Sequence, residues 1–101
     1  MRLLLALFAL ATLATLAACG PIQSTSALVE ADVEIEAARA AGAATNATYE
    51  FTAAEAYLRK AREEAGQSQY EPSTQFAAKA RDLAREARKK ALAATQQKEN
   101  P

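Results

Sequence analysis

Cys19 is the only cysteine in the sequence, and there is no histidine or tryptophan to accompany it. A solitary thiol cannot close an internal disulfide, so it is either a nucleophile to be acylated, a free thiol or a small buried hydrophobe. Without histidine or a second cysteine, zinc, copper and haem lose their usual ligands, and Cys-His or Ser-His catalytic pairs cannot form. Glu and Asp are plentiful, but no Gly-rich phosphate loop or ligand set surrounds them. No cofactor, metal site or enzymatic activity is expected. The second chemical feature is cationic: Lys79, Arg81, Arg85, Arg88, Lys89 and Lys90 stand against Asp82 and Glu86. At four- and three-residue steps, Arg81, Arg85, Arg88 and Lys89 fall on one side of a helix, where they could meet anionic headgroups or a carboxylate-bearing polymer. The same charges also suit a solvated face that complements the helix C-terminus and is partly paired through Glu86 and Lys90.

The position of Cys19 matters as much as its solitude. Arg2 supplies a positive start, Leu3 to Leu16 form an uncharged apolar run, and Leu16-Ala17-Ala18 end it with small residues. The run is long enough for a signal core and short for a bilayer span. Leu16-Ala17-Ala18-Cys19 resembles the lipobox of bacterial lipoproteins. The resemblance implies cleavage before Cys19 and palmitate-type lipidation of its thiol, with the membrane as a partner through that lipid. Two or three acyl chains, at about 0.8 kcal/mol per buried methylene, exceed what lasting attachment requires. Gly20, where enterobacterial lipoproteins retained in the inner membrane carry Asp, implies the outer membrane, facing the periplasm.

Residues 1–18 therefore read as a signal peptide and 19–25 as lipidated cysteine and tether. Residues 26–96 read as one alanine-rich helical domain, and 97–101 as a disordered tail. With Arg2 removed, eleven basic residues remain against twelve acidic ones, a balance that gives no reason to expect nucleic acid. Ala, Leu, Arg, Glu, Lys and Gln dominate residues 19–101, a strongly helix-forming set. The expected fold is all-α, a helical hairpin or small three-helix bundle.

The first helix is expected over about 27–44, capped by a hydroxyl among Ser24 to Ser26. Leu28, Ala31, Ile35, Ala38 and Gly42 form its heptad-like seam, with Val29 and Val33 to one side. Glu30, Asp32, Glu34 and Glu36 complement its dipole. Thr45 to Thr48 should turn. The second helix, about 53–65, should open on the capping box Thr52-Ala53-Ala54-Glu55 and end on Gly66 in the left-handed conformation. Its stripe is Ala54, Tyr57, Leu58, Ala61 and Ala65, with outer pairs Glu55–Arg59, Arg59–Glu63 and Lys60–Glu64. The third, about 72–94, should start on Pro72 and bury Phe76, Ala80, Leu83, Ala84, Ala87 and Ala91. Tyr49, Phe51, Tyr57, Tyr70 and Phe76 cluster around the second and third helices, which should make that hairpin the firmest part and the first helix the weaker partner.

Ala-Arg-Ala-Ala-Gly-Ala at 38–43, Tyr49-Glu50, Tyr57-Leu58-Arg59-Lys60-Ala61-Arg62, Gln69-Tyr70-Glu71 and the alanines from Ala77 to Ala91 resemble an uncharacterised family of bacterial envelope domains. Its members sometimes precede an OmpA-like domain. The hairpin around Gly66 and Tyr70 is similar to a tetratricopeptide hairpin. The family has no catalytic residues to carry over, and peptidoglycan binding by an OmpA-like part is not among the properties expected of these residues. The resemblance implies a structural or protein-interaction role, as scaffold or adaptor, with an envelope protein partner or a homo-oligomer. The alternative is a small binder of peptidoglycan or acidic headgroups through Arg81, Arg85, Arg88 and Lys89.

Overall fold

The computed structural model describes residues 1–100, without the side chains of residues 14–19. Pro101, at the end of the expected tail, lies outside the described residues. The chain is all-α: α1 spans Arg2–Ala40, α2 is the single turn Ala43–Asn46, α3 spans Thr48–Gly66 and α4 spans Tyr70–Glu99. The radius of gyration is 19.5 Å and the extents are 78 × 22 × 14 Å. A compact chain of this size has a radius near 13 Å. The excess comes largely from the start of α1, where Met1 to Leu13 are all exposed.

Among the described side chains, the packed part of α1 is entered at Gly20. Residues 20–25, expected as a tether, are helical backbone of α1 instead. Two contacts hold them there. The ring of Tyr70 lies close enough to Gly20 that a Cβ built on the glycine would stand 3.5 Å from Tyr70 Cδ2. Ser24, expected as a candidate cap, is buried with its Oγ 2.8 Å from that of Ser73, also buried. A hydroxyl pair of this kind satisfies two groups that would each be costly to bury alone.

Ser24 also fixes the direction and register of packing. It meets Ser73 near the start of α4, while further along Glu30 reaches Arg81 and Arg85. The helices α1 and α4 are therefore parallel. Every α4 seam position lies 49 residues beyond its α1 counterpart, so Leu28 is level with Ala77, Ala31 with Ala80, Ile35 with Ala84 and Ala38 with Ala87. α3 runs the other way, pairing Glu50 with Lys90 and stacking Tyr57 on Phe76, ring centroids 6.1 Å apart. In that antiparallel register Ala61, Leu58, Ala54 and Phe51 come level with Ala77, Ala80, Ala84 and Ala87. Each layer then holds one large side chain, in turn Leu28, Leu58, Ile35 and Phe51, against two alanines. Spacings alternating between three and four residues keep such seams aligned along a helix.

α4 is the centre of the bundle. Its seam of Ser73, Ala77, Ala80, Ala84, Ala87 and Ala91 is buried throughout, and it packs as fully along α1 as along α3, whereas α1 and α3 touch each other far less. The first helix is thus no weaker a partner of α4 than the second. Small side chains on α4 let two backbones approach it closely, and the larger residues of α1 and α3 fill the remaining space.

Several boundaries differ from expectation for local reasons. The turn after α1 comes at Ala41-Gly42, because Gly42 adopts φ 85°, which an alanine would resist. The expected turn residues Thr45 and Asn46 lie in α2, and the chain bends at Ala47. Thr48 opens α3, so Thr52 and Glu55 lie inside the helix and form no capping box. At its other end the left-handed residue is Ser68, φ 61°, not Gly66. The Gln69 amide donates to the Glu64 carbonyl at 2.8 Å across that turn. Pro72 is the third residue of α4, still within the first turn where its missing amide hydrogen costs nothing. α4 continues to Glu99, past both the expected end at 94 and the start of the expected tail at 97.

Candidate functional site

Cys19 and the lipobox residues Leu16 to Ala18 have side chains outside the described residues. Their neighbours define the place. Upstream, Leu3 to Leu13 form an exposed apolar helix. Downstream, Pro21, Ile22, Thr25, Ser26 and Val29 line a shallow groove on the outer face of α1. Ile22 and Val29 are exposed there, and the Thr25 hydroxyl donates to the Pro21 carbonyl at 2.8 Å. The packed molecule therefore starts within one helical turn of Cys19, with Tyr70 and the α3–α4 turn, residues 67–69, beside it.

The basic residues of α4 divide into two groups. Arg81 places Nε 3.0 Å from Asp82 and Nη1 3.7 Å from Glu30. Arg85 places Nη2 3.2 Å from Glu30 and Nε 3.4 Å from Glu34. These two arginines lie against α1, and the Asp82 hydrogen bond chiefly raises the affinity of Arg81 for its proton. Among the described residues, Arg88 and Lys89 meet no acidic side chain at ion-pair distance. They border a hollow with Glu34, Arg85 and the half-exposed Leu92. Lys90 pairs with Glu50 of α3, and Glu86 adds only to the surrounding field. Lys79 sits over the Tyr57 ring, 4.9 Å from its centroid.

The acidic residues Glu30 to Glu36, expected to complement a helix N-terminus, lie well inside α1, where Glu30, Asp32 and Glu34 act across helices and Glu36 pairs within its own. Asp32 accepts from Arg62 at 3.2 Å. Glu36 and Glu55 both hold Arg39, whose guanidinium also lies over Phe51, 5.3 Å from the ring centroid. The Arg39 proton is held more firmly, chiefly through the hydrogen bond to Glu55. Glu55 is thereby taken from Arg59, and of the outer pairs expected on α3 only Lys60–Glu64 forms, at 3.3 Å. The Asp32–Arg62 and Arg39–Glu55 pairs bridge the weakly packed α1–α3 side above Ile35 and Leu58. Being largely exposed, each is worth under about 1 kcal/mol and chiefly sets alignment.

Among the described residues, no group of three His, Cys, Asp or Glu side chains is placed to hold a metal ion. Among the described residues, no helix is long and apolar enough to cross a membrane. No protein family, curated protein or solved structure matches this chain. The functional reading therefore rests on the chain's own residues. Sequence reasoning missed the roles of Ser73 and Arg39, read Ser24 as a cap, and counted Phe51 among the clustered aromatics without placing it on the α3 seam. Of these, only Phe51 carried a readable signal, lying three residues before Ala54 and seven before Leu58 on the same seam.

Proposed function

We propose that this chain is a bacterial envelope lipoprotein, cut before Cys19 and lipidated on it. It would be held at the periplasmic face of the outer membrane, where the bundle serves as a scaffold or adaptor for an envelope partner or for another copy. The observation that carries this reading is a coincidence of boundaries. The apolar run and small residues that resemble a signal peptide and lipobox end where packing begins, with Gly20 against Tyr70 and Ser24 against Ser73. Residues 2–13 are all exposed, and the buried residues of α1 begin only at Ser24 among those described. Pro21 adds support. In the middle of a long helix its missing amide hydrogen and its ring are unfavourable, whereas in a chain starting at Cys19 it falls in the first turn, where both are tolerated.

The pairing of Arg81 and Arg85 with Glu30 and Glu34 weakens the alternative of an anionic-polymer binder and leaves it to Arg88 and Lys89. Labelled palmitate added to expressing bacteria should enter the native chain, and the signal-bearing form should shorten. Cys19→Ala should lose the label and remain at full length. Label on the Cys19→Ala chain would overturn the reading.

A further inference from the structure

The bundle fixes what lies beside residue 19, and therefore what a lipid there would bring to a bilayer. α1 runs without a break from Cys19 into the core, so no slack linker lets the bundle choose its own orientation. Gly20 touches Tyr70, and the α3–α4 turn, residues 67–69, lies at the same level. This end is Gln67, Ser68 and Gln69, followed by Tyr70, with Pro21 and Ile22 on the adjoining face of α1 and no basic residue among them. Tyrosine, with an apolar ring and a polar tip, is the kind of residue that settles at headgroup depth.

Arg88 and Lys89, which face no acidic partner among the described residues, stand towards the other end. In the parallel register Arg88 and Lys89 stand level with Arg39 and Ala40 of α1, which at 1.5 Å per residue is roughly 28 Å from Gly20. At physiological salt, electrostatic reach is about 8 Å. A bundle standing on its Gly20 end holds these side chains out of range of the headgroups of its own membrane.

Resting on the lipidation of Cys19 given above, we propose that the bundle stands end-on at the bilayer, Tyr70 and the α3–α4 turn at headgroup depth, and presents its α2 end with Arg88 and Lys89 away from the membrane. The opposing geometry is a bundle lying flat on its outer α1 face through Ile22, Val29 and Val33, which are all exposed. That face alternates with Ser26, Asp32 and Glu36 and offers an anionic surface little.

The chain has no tryptophan, so Tyr70→Trp and Tyr49→Trp give single reporters at the two ends. Tyr49 is 79% exposed. Each full-length chain is expressed in bacteria, extracted from their envelopes and reconstituted into phosphatidylcholine–phosphatidylglycerol vesicles with or without brominated acyl chains, and palmitate incorporation is measured on the same sample. The expected result is palmitate on both proteins, about twofold lower emission from residue 70 with brominated lipid, and unchanged emission from residue 49. Palmitate present with residue 49 quenched as strongly as residue 70 would overturn the end-on geometry while leaving the anchor standing. Palmitate absent from both would overturn the anchor and the geometry together.

Discussion

The two halves of α1 share one helical backbone and have opposite fates. Residues 3–13 include Leu3, Leu4, Leu5, Leu7, Phe8, Leu10 and Leu13, each more than half exposed. From Ser24 to Ala38 the same helix carries fewer large side chains, yet Ser24, Ala31, Ile35 and Ala38 are almost fully buried. Hydrophobic content runs the wrong way to explain burial, since the exposed half is the more apolar. Alternating spacing explains it, because it keeps one line of side chains facing α4, whereas leucines distributed around all sides of a helix offer no single face. The same contrast explains α4, whose core contribution is five alanines and a serine with no large residue fully buried.

The comparison breaks most sharply under large-to-small substitution. Phe51→Ala should cost about 3–5 kcal/mol, since the only large side chain of its layer is lost, while Leu5→Ala in the exposed half should change stability by less than about 0.5 kcal/mol. Urea unfolding followed by circular dichroism separates these outcomes, and a comparable loss from Leu5→Ala would show that the first half packs after all. Overpacking is next in size. Ala84→Leu, placed opposite Ile35, should cost about 1–3 kcal/mol because the α4 seam has no room for a branched side chain. A neutral result in the same titration would disprove the close approach of α4 to its neighbours.

The smallest effect concerns pH. The hydrogen bond from Lys90 holds the Glu50 carboxyl below the usual carboxylate range, and Glu50 in turn raises the Lys90 ammonium. A depressed carboxyl contributes stability above its unfolded value and loses it as pH falls through its folded value. The raised lysine contributes below its unfolded value and loses it as pH rises through its folded value. The pair is thus at full strength between these ranges. Lys90→Met should reduce acid sensitivity below the ordinary carboxylate range, as read by thermal melts across pH. An unchanged acid profile would show that Glu50 and Lys90 do not meet in solution.

How much could be read from the chain follows from what each feature depends on. The α1 seam was legible because Leu28, Ala31, Ile35 and Ala38 alternate by three and four residues, a property of one segment. The start of the packed region was not, because Gly20, Pro21 and Ser24 to Ser26 have the composition of a breaker and cap. They are helical because Tyr70 and Ser73, some fifty residues on, lie against them. Thr52 and Glu55 misled in the opposite way: their spacing is that of a capping box, but Ala47 had already supplied the bend. The basic stripe was visible as charge, while the partners of Arg81 and Arg85 sit on another helix whose parallel register only the fold reveals. Cys19 stood out through its position behind Leu16 and two alanines, independent of any packing.

The central claim is that the chain changes character at Cys19, from a removable signal to a folded, lipid-bearing domain. Intact-mass measurement of the protein extracted from bacterial envelopes tests it most directly. The predicted result is a chain beginning at Cys19 and carrying a diacylglyceryl group there. A chain still beginning at Met1, or one beginning elsewhere with a free thiol, would contradict it.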